Sequence, residues 1–360
     1  MRKIILINND LASGGAERFI AEMANYLDNS GVETIIVLLN RAKIHFDINK
    51  NIKIIEPKNP QPHNKFKKLL YFIYLFFYLR KCIRHQKADL IFNLAYPTFV
   101  LFSIGNLVPL FISIRCDPYR TALIEGFRIP LYIRKFFYKR LKGIIAQTSE
   151  AAKILKKQFK SSKITIIPNY IPLPYLQEYD LFTEKKNNIL FVGRLIKSKG
   201  LIYLLNAFKS IDNKNWKLDI VGDGPEKKNI ADFIIENDLT DQVTLHGEQK
   251  YLLNYYKRSK IFVFPSLSEG FPNALLEAMS MGCACISFDC NYGPAEIIQN
   301  TINGILVETG NQNELNMALQ SLINNNDEIN RLMINAQSVR QIYNQEKIMS
   351  QFIKEFNHVK

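Results

Sequence analysis

The strongest constraint in this chain is a repeated change of hydrophobic period. Short apolar runs of buried-strand type alternate with stretches whose apolar residues recur every three or four positions. Strands are expected at 3–8, 33–39, 52–55, 89–93, 110–114, 143–147 and 163–167, with helices at 15–29, 65–86, 128–141 and 149–160. A second series of strands follows at 188–192, 216–221, 242–246, 260–264, 283–287 and 303–307. Helices lie between its members, and three more, at 311–323, 327–340 and 344–357, end the chain. This βαβ alternation predicts an α/β chain with two doubly wound parallel sheets. A length of 360 residues suits two domains better than one core. The break falls in the proline-bearing, aperiodic stretch 168–187. The expected parts are residues 1–170, a linker at 171–187, residues 188–340, and a final helix at 341–360 that is a candidate to cross back to the first domain. Ligands of such sheets sit at the carboxyl ends of the strands, so two facing sheets would send loops into one cleft.

The densest chemistry follows the strand that ends at Phe264: FPSLSEGFPNALLEAMSM, residues 264–281. Glu269 lies in the loop and Glu277 in the helix after it. The helix start at Pro272–Leu275 leaves backbone N–H groups without intrahelical partners, and with the helix dipole these suit a diphosphate. A carboxylate only accepts hydrogen bonds, which suits sugar hydroxyls. Glu269 is thus a candidate for a hexose and Glu277 for a ribose. Taken alone, the pair reads more simply as an acidic first turn plus a solvated glutamate.

Other loops follow strands in the same way. Strand 188–192 runs into GRLIKSKG, where Gly193, Arg194 and Lys199 precede a helix; the two cations match a diphosphate, and the bland alternative is a solvated basic loop. Gly14 and Gly15 open the first helix after Ser13, a candidate N-cap. They admit close approach of a ligand or simply form a tight turn, and no G-x-G-x-x-G fingerprint is present. Gly222 and Gly224 in VGDGPEKKNI, and LHGEQK at 245–250, are candidate loops for a nucleobase or plain structural turns. Residues 293–296 (GPAE) are a candidate cleft loop or a helix cap.

Together these motifs, GGAER, GRLxxxKG, VGDGP and E-G-F-P-N-x-x-x-E-A-M in that order, resemble the retaining glycosyltransferases of family 4, whose fold is called GT-B. The resemblance spans essentially the whole chain and is strongest over 187–300. It implies transfer of a hexose or N-acetylhexosamine from a nucleotide-diphosphate sugar, with UDP favoured, and no metal or other cofactor; the sequence likewise holds no Asp-x-Asp. By resemblance, Arg194 and Lys199 hold the donor diphosphate, Glu277 the ribose and Glu269 the hexose. Phe271, Pro272, Asn273 and Ala274 supply backbone under the phosphates, and Gly14 and Gly15 lie nearest the transferred sugar. One departure stands out. Many members carry a histidine after the strand matching 110–114, where this chain has Arg115, Cys116 and Asp117. Asp117 is a candidate to orient an acceptor hydroxyl and Arg115 to bind an acceptor phosphate or carboxylate; the alternative is an Arg–Asp pair holding the loop.

Charge is unevenly spread. Residues 1–175 carry 28 Lys and Arg against 11 Asp and Glu, whereas residues 176–360 carry 19 against 22. The excess concentrates at 65–87 and 127–143, where cations mix with aromatic and aliphatic residues. Such stretches fit an anionic membrane surface, or else a core helix with charged ends. No nucleic-acid recognition module is visible. The longest apolar run, 69–79, is too short to span a bilayer, and MRKIILINND reads as a strand rather than a signal peptide. Five cysteines, with no C-x2-C pair, fit a reducing cytoplasm. The expected enzyme works on the inner face of a bacterial membrane, extending undecaprenyl diphosphate-linked surface glycans by analogy with the family. Its rivals are a sugar-nucleotide epimerase or hydrolase of the same plan, and a non-catalytic nucleotide-sugar-binding subunit.

Overall fold

The computed structural model describes residues 1–358 except 13, 63, 116, 117, 119–122, 125, 126, 161, 183, 184 and 212–214, with the backbone alone for 65, 123, 124, 127 and 128. Two compact units emerge: Met1–Ile167 with Met349–Lys360, and Pro168–Ile348.

The first unit contains, in order, β1 (Lys3–Asn8), α1 (Gly15–Asn29), β2 (Glu33–Leu38), β3 (Lys53–Ile55), α2 (Lys65–Gln86), β4 (Leu90–Asn93), α3 (Pro97–Ile104), β5 (Leu110–Ile114), a small hairpin of β6 (Leu123–Ile124) and β7 (Phe127–Arg128), α4 (Leu131–Tyr138), β8 (Gly143–Ala146), α5 (Ser149–Gln158) and β9 (Ile164–Ile166). Its sheet has the order β3-β2-β1-β4-β5-β8-β9, parallel throughout. The central strands are buried along nearly their whole length, with mostly apolar residues on both faces, as expected where helices cover both sides of the sheet. α1 buries Phe19, Ile20, Met23, Ala24 and Leu27, one stripe at helical spacing. Thr148 caps α5 by accepting from the Ala151 N–H at 3.1 Å.

The second unit contains β10 (Lys186–Val192), α6 (Leu201–Ser210), β11 (Lys217–Val221), α7 (Lys227–Glu236), β12 (Val243–Leu245), α8 (Leu253–Arg258), β13 (Ser259–Phe264), α9 (Asn273–Ser280), β14 (Ala284–Phe288), α10 (Pro294–Ile297), β15 (Ile305–Val307), α11 (Gln312–Ile323), α12 (Asn326–Ala336) and α13 (Val339–Ile342). Its sheet, β12-β11-β10-β13-β14-β15, is also parallel. Strand alternation divides the core. Ile189, Phe191, Ile261, Val263, Ile286 and Phe288 pack with α6, α11 and α12. Leu190, Val192, Phe262, Phe264, Cys283 and Cys285 pack with α8, α9 and α13. α14 (Gln345–Asn357) begins with the second unit and ends with the first. There Phe352 and Phe356 meet Phe19, Phe92 and Phe111, with ring centroids 5.3–5.7 Å apart.

The stretch expected as a linker is, at residues 168–182 and 185–187, folded onto the second unit. Ile171 and Tyr175 join its core, and the Ile171 N–H donates to the Tyr343 carbonyl at 2.8 Å. Lys185 is buried, with its Nζ 2.8–2.9 Å from the carbonyl oxygens of Tyr256, Ser259 and Met281. It thereby meets carbonyls at the carboxyl ends of α8 and α9, where cations are favoured. The helix expected at 128–141 is shorter, and Arg134 within it is buried, its guanidinium 5.1 Å from the centre of the Phe159 ring. α3 was not foreseen; its sequence, PTFVLFSI, is apolar all round and shows no period.

In both sheets the strand order reverses, between β1 and β4 and between β10 and β13. Loops leaving such neighbours part to opposite sides and leave a crevice at the carboxyl edge.

Candidate active site

The crevice of the second sheet is built by the loops after β10 and β13. Gly193 follows β10, its N–H donating to the Val221 carbonyl at 3.0 Å. Gly222 lies directly against it: a Cβ there would come within 1.9 Å of the Gly193 carbonyl oxygen, and φ is +145°. Gly222 is therefore required by backbone packing, whatever else passes the loop. Gly200 is held likewise, with φ +63° and a hypothetical Cβ 1.9 Å from the Pro265 carbonyl oxygen. The two loops are laced together, since the Leu267 N–H donates to the Ser198 carbonyl at 2.8 Å.

This lacing brings Lys199 to Glu269. Nζ lies 2.5 Å from Oε1, with both side chains largely shielded from water. The ammonium also stands 5.4 Å above the Phe264 ring. The Ser266 hydroxyl donates to the same Glu269 oxygen. Arg194 is exposed on the loop that carries Lys199. The β13 loop then turns into α9. The Asn273 N–H is tied to the Phe271 carbonyl at 3.0 Å, and the first helical bond runs from the Leu276 N–H to the Pro272 carbonyl at 3.1 Å. Among the described residues this leaves the N–H groups of Ala274 and Leu275 as the open donors of the helix. Phe271 and Pro272 are buried. Gly293, with φ +133°, packs against the Pro272 ring, so the 293–296 loop braces this turn. The Asn273 side chain accepts from Asn169 Nδ2 at 2.5 Å.

Glu277 has a different environment from Glu269. It is 3% exposed, and its Oε2 accepts from the Tyr256 hydroxyl at 3.1 Å. A solvated helix glutamate, one of the two readings open from sequence, is thus excluded. In the first unit, Gly14 precedes α1 in an extended conformation, and the Glu17 carboxylate folds back over it: a Cβ on Gly14 would fall 2.1 Å from Glu17 Oε2. Burial raises the Glu17 carboxyl above its ordinary range. Gly15 is the first residue of the helix. Arg115 stacks on α1, its guanidinium 3.2 Å from the centre of the Phe19 ring. Ser13, Cys116 and Asp117 lie outside the described residues.

Three features escaped the sequence reading. Ser266 reads as ordinary loop polarity until the fold sets it on Glu269. Cys290 is buried after β14, and burial together with the Glu269 charge pushes its thiol up to about 12. Asp219, on β11, gathers His246 Nε2, Arg258 Nη2 and Asn188 Nδ2 at 2.7–2.8 Å. This network anchors the 245–250 stretch, whose Gly247 carbonyl accepts from the Gly222 N–H at 2.8 Å. Among the described residues no His, Cys, Asp and Glu side chains group as metal ligands would.

Two parallel Rossmann-like sheets, each with a crevice at a reversal of strand order, define a doubly wound α/β chain of two such units. Residues 177–339 match the family model "Glycosyl transferases group 1", and residues 13–173 match "Glycosyltransferase Family 4". The chain belongs to the family 4 glycosyltransferases, enzymes of the GT-B fold class. An uncharacterized glycosyltransferase of Methanocaldococcus jannaschii is 34% identical over 62% of this chain and 61% of its own length. The Campylobacter jejuni enzyme named N-acetylgalactosamine-N,N'-diacetylbacillosaminyl-diphospho-undecaprenol 4-alpha-N-acetylgalactosaminyltransferase is 28% identical over 90% of each chain. Among solved structures, a TarM variant of S. aureus with UDP, alpha-GlcNAc-glycerol and Fondaparinux superimposes with a TM-score of 0.81 over 99% of this chain and 100% of that one, at 16% identity.

Proposed function

We propose that this chain is a retaining, metal-independent glycosyltransferase. It moves a hexose or N-acetylhexosamine from a UDP-sugar to a saccharide carried on undecaprenyl diphosphate, for a surface polysaccharide or glycan. It works peripherally on the cytoplasmic face of a bacterial membrane. The observation that carries this reading is the Lys199–Glu269 pair at the strand-order reversal of the second sheet. An ammonium has three donors and Glu269 uses one, so Lys199 keeps capacity for phosphate oxygens. Arg194 supplies a second cation and the start of α9 supplies N–H donors. Together these fixed groups meet the charge that grows on the leaving diphosphate. Glu269 accepts from the hexose hydroxyls and Glu277 from the ribose. The acceptor and the lipid carrier are supported by the name of the Campylobacter relative, and UDP by the ligand of the TarM structure.

In the proposed step the acceptor hydroxyl attacks the anomeric carbon on the face from which the diphosphate departs. The bond from that carbon to the diphosphate oxygen breaks as the new glycosidic bond forms. The hydroxyl proton passes to a leaving phosphate oxygen, and the anomeric configuration is kept.

The test begins with thermal stabilisation of the purified chain by UDP- and GDP-sugars. The best donor is then supplied with and without lipid-linked saccharides, and the anomeric configuration of the product is read by NMR. Acceptor-dependent release of UDP with retention supports the reading. Donor consumption that ignores the acceptor identifies an epimerase or hydrolase instead, and tight binding without turnover identifies a binding subunit.

A further inference from the structure

The outer face of α2 changes character along its length. Tyr71, Leu75, Leu79 and Ile83 form its buried stripe. Facing away are Phe66, Leu69, Leu70, Ile73, Tyr74 and Phe77, all exposed, followed one turn on by exposed Lys81, Arg84 and His85. With Lys67 exposed in the first turn, an apolar middle therefore lies between cationic ends on one helix. The apolar surface continues onto two neighbouring helices. The Phe76 ring lies 5.4 Å from Phe102 of α3, which lies 6.0 Å from Phe137 of α4, which lies 5.5 Å from Phe136. Phe77, Phe102 and Phe136 are 65%, 57% and 59% exposed, and Tyr132 is 73% exposed. Guanidinium groups edge the rings: Arg80 sits 5.5 Å from the Phe76 ring centre, and Arg140 sits 5.3 Å from that of Phe136. A groove of about 450 Å³ runs between Phe76, Phe77, Arg80, Lys81, Arg84 and His85.

A contiguous exposed apolar surface of this kind marks an interaction site rather than scattered surface residues. Its cationic edge selects the partner. Rings that enter an acyl boundary, with Lys and Arg held at the depth of anionic headgroups, are the pattern of a helix lying in a membrane interface. No helix among the described residues is long and apolar enough to cross a membrane, so the face would lie on the bilayer. We infer that α2, α3 and α4 form one composite membrane-insertion face, in which Phe77, Phe102 and Phe136 enter the interface and the groove at Arg80, Lys81 and Arg84 seats an anionic phospholipid headgroup. The inference deepens the proposed membrane-borne acceptor and rests on it for its purpose. It adds an insertion surface made of three helices, with rings as well as charge holding the chain. Arg134, which sequence groups with the surface cations, takes no part because it is buried.

The test uses the full chain and vesicles of phosphatidylglycerol with phosphatidylcholine, or of phosphatidylcholine alone, in flotation at low and high salt. Wild type is expected to float with the anionic vesicles. The triple variant Phe77→Ser, Phe102→Ser, Phe136→Ser alters only exposed rings and is expected to lose at least tenfold in affinity at both salt concentrations. Lys81→Gln with Arg84→Gln should lose affinity chiefly at low salt, where charge is least screened. A single Phe77→Trp reporter, excited against the Trp216 background, should shift its emission to the blue on vesicles and be quenched by brominated lipid. Undiminished flotation of the triple variant, or a Phe77→Trp emission unmoved by vesicles, would overturn the inference. So would a concentration-dependent dimer that the ring variant dissolves, since the face would then belong to a second copy. Every readout is independent of turnover. Flotation by a chain that transfers no sugar would reject the enzymatic reading and keep the insertion face.

Discussion

Lys199 and Glu269 lie seventy positions apart in the chain and meet at 2.5 Å. Replacing Lys199 by Ala removes a cation from the developing diphosphate and leaves a shielded carboxylate without its partner. Turnover should fall by about 10²–10³, measured as kcat with the best nucleotide sugar; a near-normal kcat would dismiss the proposed donor site. Cys290 gives a titration test. Its native thiol keeps the proton up to about 12, whereas an unfolded thiol releases it near its ordinary value of 9.0. Between those values the unfolded chain binds fewer protons, so stability is present at neutral pH and falls as pH rises. Cys290→Ala should flatten the decline of the melting temperature above pH 9; an unchanged slope would refute the assignment. That Lys199 and Glu269 share one crevice was legible in the sequence, because each follows a strand beside the reversal of strand order. Ser266 and Cys290 were not, since a serine or a cysteine acquires its role only from the neighbours that folding supplies.

α8 and α9 both end near a single buried ammonium, that of Lys185. Lys185→Met strips three carbonyl groups of a charged donor and should destabilise the second unit by about 3 kcal/mol, read as a lower urea midpoint; a midpoint within error of wild type would show those carbonyls repaired by solvent. Most elements were readable from period alone: β1, α1, α2 and β5 appear with the bounds expected. The failures have physical causes. α3 is short and uniformly apolar, so strand and helix patterns fit it equally. The stretch around Ile171, Tyr175 and Lys185 shows no period because these side chains reach the second unit from largely irregular chain rather than from a long repeating element. From sequence, VGDGP is open as a loop beside a nucleobase or as a plain structural turn, and Gly200 is placed only at a helix start. Gly200 and Gly222 are in fact tight against backbone. That distance is set by strands far apart in sequence.

The first unit is completed by the end of the chain. Phe352 and Phe356 of α14 fill the space around Phe19, Phe92 and Phe111. Phe356→Ala should therefore lower the stability of the first unit by about 3–5 kcal/mol and leave nucleotide-sugar binding by the second unit in place. Calorimetry of the melting transitions beside titration with UDP-sugar checks both halves; equal loss in the two units would contradict the division at Pro168. The charge asymmetry and the doubly wound order were visible at this scale in the sequence, because both are sums over many residues. The seam in α14 has a further consequence during synthesis. When the ribosome has delivered the first 167 residues, the aromatic hollow around Phe19 still lacks its two plugs, Phe352 and Phe356, which follow the whole second unit. The second unit is finished first although it is encoded later. Until Phe352 and Phe356 emerge, the nascent first unit lacks those rings, so a chain cut short before them would be weakened far upstream of the cut.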